Sequence, residues 1–530
     1  MQQPAYRRRL VPVLALGVVA GLAPGLAAGS ASAAPGDKAA AASAPTAARA
    51  DAGRIAPYTH QKLTWKRCSA ERPAKFRCAT LKVPLDYRKP EGKRIDVAIS
   101  RVKTSVPGKR RGVLTFNPGG PGGPGLDLPL EAAGALPKAV RQQYDLIGFD
   151  PRGVGRSTPV TCGLDSDGMT FPRPNRTAAE FTANKNWAKK VADRCHRRMG
   201  GVLPHISTRN TARDMDVLRA VLGEKKLNYY GVSYGTALGA VYAQLFPRRV
   251  DRWVIDSAVD PQLMWRGMYR IWAPEVEPAF KRWAKWTAER SSTYHLGDSA
   301  DRVTRTFWAL VKRADRKPVE MDGEKYDGAG LRDLLRPEFF GVRGAAELVV
   351  KLKKAAAGKR VSAAPEAGTP DDNGDVSHWA VVCADNSTWP RDAETYRRDL
   401  KHDSARYPLF GDFAAGISPC AYWDKGAEPV TKVNNEVPML LLQNEWDPQT
   451  PLVGAQSMHR ALKGSRMVTV DEGEGHGVLF NGPATNACAE NISMAYLATG
   501  KLPAKDVTCH ATPGARKRPG AAPPAFGPGR

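Results

Sequence analysis

The sequence contains no C-x-x-C pair, no second apolar run of membrane-spanning length after its N-terminus, and no basic stretch interleaved with aromatic residues. Each absence removes a class of function. Structural zinc sites use closely spaced thiolates, so no metal is expected, and no other cofactor is suggested. A spanning helix needs about 20 apolar residues, so the mature chain should carry no integral membrane segment. Single-stranded nucleic acid is held by cations together with stacking aromatics. The densest basic runs, KRR at 109–111, KLKKAAAGKR at 351–360 and ARKRPG at 515–520, have no such pattern, and nucleic acid is not an expected partner. Acidic residues are in deficit: 79 Lys and Arg face 53 Asp and Glu, a net charge of +26. Scattered as it is, the excess reads as a solvated basic surface, with a bias toward anionic surfaces such as a cell wall.

What is present begins with an export signal. Arg7, Arg8 and Arg9 precede an apolar stretch from Leu10 to about Ala28, and Ala31-Ser32-Ala33 forms a small-residue cleavage site. Residues 1–33 therefore read as a signal peptide, and the protein is expected to be secreted. Residues 34–55 are Ala-rich without apolar periodicity, a linker or pro-segment, and the Pro/Gly-rich residues 511–530 read as a disordered tail. Export places the eight cysteines in an oxidising compartment, where disulfides are the default. They fall into neighbouring pairs: Cys68 and Cys78, Cys162 and Cys195, Cys383 and Cys420, Cys488 and Cys509. Sequential pairing, one of about 105 connectivities, is the expectation.

Between the ends, buried-type strands alternate with helical patterns. GVLTFNPGG, YDLIGFDPRG, KLNYYGVSYG, RWVIDSAVDP, VPMLLLQNEWDP and SRMVTVDEGEG read as strands. NTARDMDVLRAVLG, TALGAVYAQLFP and LVGAQSMHRALKG read as helices. Continuous apolar strands alternating with helices predict an α/β fold with a mostly parallel central sheet covered on both faces. Residues 265–432 are mainly helical and rich in Trp, without alternating strands. They read as a helical lid inserted into one core, whose parts are 56–264 and 433–510.

The chemistry centres on Gly231-Val232-Ser233-Tyr234-Gly235, a G-x-S-x-G placed between a predicted strand and a predicted helix. That context is a nucleophile elbow, which lifts a serine hydroxyl above a helix N-terminus. The hydroxyl needs a base and the base an orienting acid. His476, in the glycine-rich DEGEGHG after a strand, is the expected base. His459, His402 and His510 lack that framing. Asp447, at the end of a buried strand and followed by Pro448, is the expected acid, with Glu445 as the alternative. The oxyanion of an acyl-transfer intermediate needs backbone N–H donors. Tyr234, after the nucleophile, should give one, and Gly120, in the loop FNPGGPGGPG, the other.

The stretches NPGGPG, DPRGVGRS (Asp150–Ser157), GVSYGT, DPQTP and GHG, in that order and spacing, resemble secreted actinobacterial tripeptidyl aminopeptidases, of the proline-iminopeptidase-like branch of the α/β-hydrolases. The resemblance runs from about residue 60 to 510. Pro118 stands where proline iminopeptidases typically carry a histidine. The resemblance implies an α/β-hydrolase fold, a Ser233–Asp447–His476 triad with Gly120 and Tyr234 as oxyanion hole, and a lid that restricts access to free peptide N-termini. Peptide or protein substrates are the implied partners, and a monomer is expected. A lid carboxylate should receive the substrate ammonium, and Asp385, Glu275 and Glu277 are the candidates. An esterase or lipase on the same triad is the alternative enzyme, since one fold serves both. A non-catalytic binding module is disfavoured because all triad members are present, and epoxide- or haloalkane-type chemistry because its nucleophile is Asp.

Overall fold

The computed structural model describes residues 54–164, 175–321, 323–339, 341–359, 372–385, 389–480 and 486–511. The expected signal peptide, linker and C-terminal tail lie outside these, apart from the innermost residues of the last two. No described helix is long and apolar enough to cross a membrane.

A ten-stranded sheet forms the body, in the order β1-β2-β3-β5-β4-β6-β7-β10-β11-β12. From β5 (Tyr144–Phe149) through β4 (Gly112–Asn117), β6 (Leu227–Val232), β7 (Val250–Asp256), β10 (Met439–Trp446) and β11 (Ser465–Glu474) to β12 (Val507–His510), every pairing is parallel. The strands β4, β5 and β6 are buried at every position, as strands covered on both faces must be. The other end is antiparallel: β1 (Lys66–Arg67), β2 (Phe76–Pro84) and β3 (Arg94–Val102). These strands mix buried and exposed positions, the weaker signal of an edge hairpin.

The chain passes from β4 outward to β5 and then returns across β4 to lay down β6. At such a reversal the loops from adjacent strands diverge and leave a crevice at the carboxyl ends. The loop after β4 and the turn after β6 flank that crevice, and the loops after β10 and β11 lie along the same edge.

Between β7 and β10 the chain forms an insertion of helices. The principal ones are a long lid helix, Arg266–Ala288, then Ala300–Arg316, Gly328–Glu338, Val342–Ala356, a buried lid helix Asn373–Ala384, and Ala393–Arg406. Sequence periodicity does not foretell the short antiparallel hairpin here, β8 (Val319–Met321) and β9 (Glu324–Tyr326), because three residues are too few to establish a period of two. One hydrophobic cluster runs through sheet and lid alike, from Trp253 on β7 to Trp265, Trp272, Trp283 and Trp379.

All four disulfides pair sequentially: Cys68–Cys78, Cys162–Cys195, Cys383–Cys420 and Cys488–Cys509. By restricting the unfolded chain, each stabilises by about 2–4 kcal/mol. The second ties the helix Ala178–Met199 to the loop after β5, and the third fixes the buried lid helix.

In DPRGVGRS, Arg152 is buried and its guanidinium donates in bidentate fashion to Asp214, at 2.7 and 2.6 Å, and also to the carbonyls of Leu85 and His205. Tyr87 completes the set with a 2.7 Å bond to Asp214. The pair joins the loop after β5 to the helix Thr208–Val221. Removing one member strands the other charge. Asp214→Ala should therefore lower stability by about 3–5 kcal/mol, read as a fall in the urea midpoint; an unchanged midpoint contradicts this account of the motif.

Candidate active site

The turn after β6 is sharp because two glycines let it be. A Cβ on Gly231 would lie 2.7 Å from the Gly235 carbonyl, and one on Gly235 would lie 2.9 Å from the Asn117 carbonyl. Ser233 sits between them with φ 59° and ψ −122°, immediately before the elbow helix Tyr234–Leu245. A non-glycine residue with positive φ costs free energy that the surroundings must offset. Here the Ser233 N–H donates to the Asp256 carbonyl at 3.0 Å, and the Ser233 carbonyl accepts from the Thr236 N–H and hydroxyl.

The loop after β4 lies directly over this turn. A Cβ on Gly119, whose φ is +100°, would fall 3.0 Å from Ser233 Cβ and 3.3 Å from the Tyr234 nitrogen. The Gly119 N–H is committed to Asn117 Oδ1 at 3.0 Å. The N–H groups of Gly120 and Tyr234 make no hydrogen bond among the described residues. The Tyr234 N–H thus stands at the helix N-terminus next to Ser233, where the helix dipole also favours negative charge, and that of Gly120 follows Gly119 in the loop packed on this turn.

Asp447 and His476 are brought together by the ends of β10 and β11. The His476 ring donates through Nδ1 to Asp447 Oδ2 at 2.8 Å, and both residues are 2% exposed. The rest of the carboxylate is equally engaged. Oδ1 accepts from the N–H groups of Gln449 (2.8 Å) and Thr450 (3.0 Å), and Oδ2 also accepts from the Thr450 hydroxyl (2.9 Å). With Nδ1 facing Asp447, Nε2 is the ring nitrogen placed to exchange a proton with a substrate or nucleophile. Glu445 is engaged elsewhere, accepting from the Glu472 N–H. His459, His402 and His510 face Asp506, Asp403 and Asp471.

Several residues that fix this geometry carry no motif. Asn444, on β10, donates from one side-chain nitrogen to the carbonyls of Glu474, Gly475 and Gly477. From the other side the Gly477 N–H donates to Ser257 Oγ, and those of Val478 and Leu479 to the Asp256 carboxylate. Burial raises Asp256 above the ordinary carboxylate range, while the hydroxyl of Tyr230 and these amides oppose that shift. The histidine loop is thus held by its carbonyls and by its amides. Thr450 lies 3.3 Å from His476 Nδ1 as well as on Asp447. Only its place three residues after Asp447, within one turn, could have drawn attention to it.

Comparison with known proteins identifies the relatives of the chain. Residues 407–509 match the family of TAP-like proteins. The chain is 36% identical to the tripeptidyl aminopeptidase of Streptomyces lividans, over 85% of this chain and 87% of that one. It is 29% identical to serine protease Hip1 of Mycobacterium tuberculosis, over 86% and 92% of the two chains, and 31% identical to carboxylesterase B of the same species, over 86% and 91%.

The three lid carboxylates considered as ammonium receptors are placed differently. Glu277 accepts from the Leu409 N–H at 2.8 Å. Glu275 is half-buried and makes no hydrogen bond or ion pair among the described residues; burial raises it, against the pull of Arg282. Asp385 is buried with both oxygens occupied, accepting from the Thr208 N–H (2.7 Å), the Thr208 hydroxyl (2.5 Å) and Trp265 Nε1 (3.0 Å). That environment suits a clamp better than a receptor. Burial pushes Asp385 up to about 6 from an ordinary 3.8. A carboxyl whose folded value is raised favours the native state at low pH, and that contribution is lost as pH rises from 3.8 to about 6. Asp385→Asn should flatten this part of the stability–pH curve; a curve parallel to the wild type's contradicts the assignment.

Proposed function

The chain belongs to the tripeptidyl-aminopeptidase-like family of α/β-hydrolases and is a serine peptidase, and from that premise we propose that it is a secreted aminopeptidase releasing short peptides, tripeptides foremost, from free N-termini. The observation that carries the reading is the buried Asp447–His476 hydrogen bond on the strand ends beside the Ser233 elbow.

In the proposed reaction, Ser233 Oγ attacks the scissile carbonyl as His476 Nε2 takes its proton. The carbonyl oxygen gathers negative charge against the N–H groups of Gly120 and Tyr234, the proposed oxyanion donors. Asp447 keeps Nδ1–H directed at itself and stabilises the imidazolium. His476 then gives the proton to the departing amine, leaving an ester on Ser233. Water, deprotonated by His476, cleaves that ester and restores the serine. Glu275, the lid carboxylate that makes no hydrogen bond or ion pair among the described residues, is the proposed receptor of the substrate ammonium, an interaction strengthened by its charge.

A second reading is supported by the identity shared with carboxylesterase B: the same three residues cleaving an ester, with no requirement for a free amine.

Chromogenic substrates separate the two. The mature protein should release a free-amine tripeptide from its reporter faster than a single residue, and blocking the amine should abolish release. Ester-only turnover contradicts the aminopeptidase reading. Ser233→Ala should lose about a thousandfold or more in kcat on every substrate. Glu275→Gln should raise KM for free-amine tripeptides by about tenfold and leave ester hydrolysis unchanged, since it removes only a ground-state charge partner. An equal loss on both substrate types would remove Glu275 from the amine site.

A further inference from the structure

Three polar aromatic side chains stand at the start of the long lid helix: Trp265, which precedes its first residue, then Tyr269 and Trp272. Steps of four and three residues place them on one face. All three are buried; Trp272 bonds a loop of the site directly, and Trp265 and Tyr269 each reach one through a side chain of the buried lid helix or its cap.

Trp272 Nε1 donates to the Gln449 carbonyl at 2.6 Å. The N–H of the same Gln449 donates to Asp447 Oδ1, and its side-chain oxygen accepts from Arg336 at 2.7 Å. The Arg336 guanidinium stacks 4.6 Å from the centre of the Trp272 ring. The acid loop is therefore tied to the lid at a residue that itself binds the acid.

Tyr269 and His378, on the buried lid helix, are joined by a 2.8 Å bond between the hydroxyl and Nε2, and His378 Nδ1 lies 3.3 Å from the Pro121 carbonyl. Pro121 follows Gly120 in the glycine-rich loop. Burial holds His378 down to about 4, so the ring is neutral. Its Nδ1–H faces the carbonyl, and Nε2 accepts from Tyr269. The next glycine packs against the same helix: a Cβ on Gly122 would meet Ser377 Oγ at 2.8 Å and the Gly374 carbonyl at 3.0 Å.

Trp265 Nε1 donates to Asp385, which accepts twice from Thr208. The Thr208 hydroxyl is 2.8 Å from that of Tyr234, the residue after Ser233, and the Trp265 and Tyr234 rings pack with centroids 5.7 Å apart.

We propose that this one helix face is a positioning element that sets the nucleophile elbow, the oxyanion loop and the acid loop in mutual register, so that the first turns of the lid are a fixed part of the catalytic apparatus and not a movable cover. Polar reach is what distinguishes these residues from ordinary core aromatics. Apolar rings at these positions would fill the same space but would leave the Gln449 carbonyl, His378 Nε2 and Asp385 each short of a donor in a buried setting. A loop displaced by a fraction of an ångström loses transition-state contacts before it loses substrate binding. The proposal rests on Ser233, Asp447 and His476 being the reacting groups.

Trp265→Phe, Tyr269→Phe and Trp272→Phe each delete one donor and keep the ring. Steady-state kinetics of the full chain on a small chromogenic ester, whose turnover needs no free amine, should give a fall in kcat of about tenfold for each variant with KM within about twofold. Amide hydrogen exchange should quicken locally in each variant: at 206–210 and 232–236 for Trp265→Phe, at 118–125 for Tyr269→Phe, and at 447–452 for Trp272→Phe. If Trp272→Phe does not fold, Arg336→Met, which removes the neighbouring bond to Gln449, carries the same test of the acid loop. Unchanged kcat in all three overturns the proposal. So does a loss confined to KM, or a uniform rise in exchange across the chain, which is the signature of a generic packing role. Ser233→Ala run alongside separates this outcome from a failure of the underlying reading: turnover surviving in that variant would remove the reacting groups themselves, whatever the three aromatic variants do.

Discussion

A carboxylate at the end of one strand must stay 2.8 Å from an imidazole at the end of the next, with both shut off from water. Burying a charge and a ring that must itself become charged is costly unless the lone pairs and protons are satisfied. The surroundings of Asp447 meet that condition with two backbone amides and a threonine hydroxyl. Those of His476 meet it through the loop, gripped by Asn444 on its carbonyls and by Asp256 and Ser257 on its amides. These contacts come from β7 and β10, strands hydrogen-bonded to each other. The accuracy of the site is inherited from the register of a parallel sheet.

The sheet supplies position and the lid supplies closure. The reversal of strand order at β4 opens the crevice, and loops alone would leave it loosely defined. The lid packs into it with a core continuous with that of the sheet; it bonds the acid loop directly through Trp272 and Gln449, and reaches the glycine-rich loop and Tyr234 through His378 and through Asp385 with Thr208. Of the three lid carboxylates, Asp385 and Glu277 are occupied in holding the protein together, which leaves Glu275 as the one proposed to meet substrate. A buried carboxylate in an apolar stretch is an ambiguous sequence feature for this reason: both a receptor and a clamp need it.

Much of the fold was legible in the sequence because buried parallel strands are uniform apolar runs. LNYYGV and MLLLQNEW can scarcely be read otherwise, and the elbow between Val232 and Tyr234 follows from two glycines at fixed spacing. Sequential disulfide pairing was also legible. The antiparallel strands β2 and β3, and the hairpin in the lid, were not, because partial exposure or brevity blurs their period. Residues 234, 447 and 476 lie in recognisable frames, whereas Asn444, Asp256, Ser257 and Thr450 act through contacts that only the folded chain creates. Asn444 and Gly477 are far enough apart in sequence that no local pattern links them. The polar role of Trp265, Tyr269 and Trp272 was hidden for a related reason: the aromatic residues of a Trp-rich lid look like core, and they are core, with one polar atom each in a buried hydrogen bond.

The central claim is that Ser233 is the nucleophile and that its reactivity depends on the Asp447–His476 pair. Mass spectrometry of the intact protein after reaction with a fluorophosphonate tests it most directly, because the probe reports the activated hydroxyl without regard to substrate. The account predicts a single phosphonyl adduct, mapped to Ser233, and labelling slowed by about a thousandfold or more in Asp447→Asn, where the imidazole loses its orienting charge. An adduct on another residue, or labelling of Ser233 at an undiminished rate in Asp447→Asn, would contradict it.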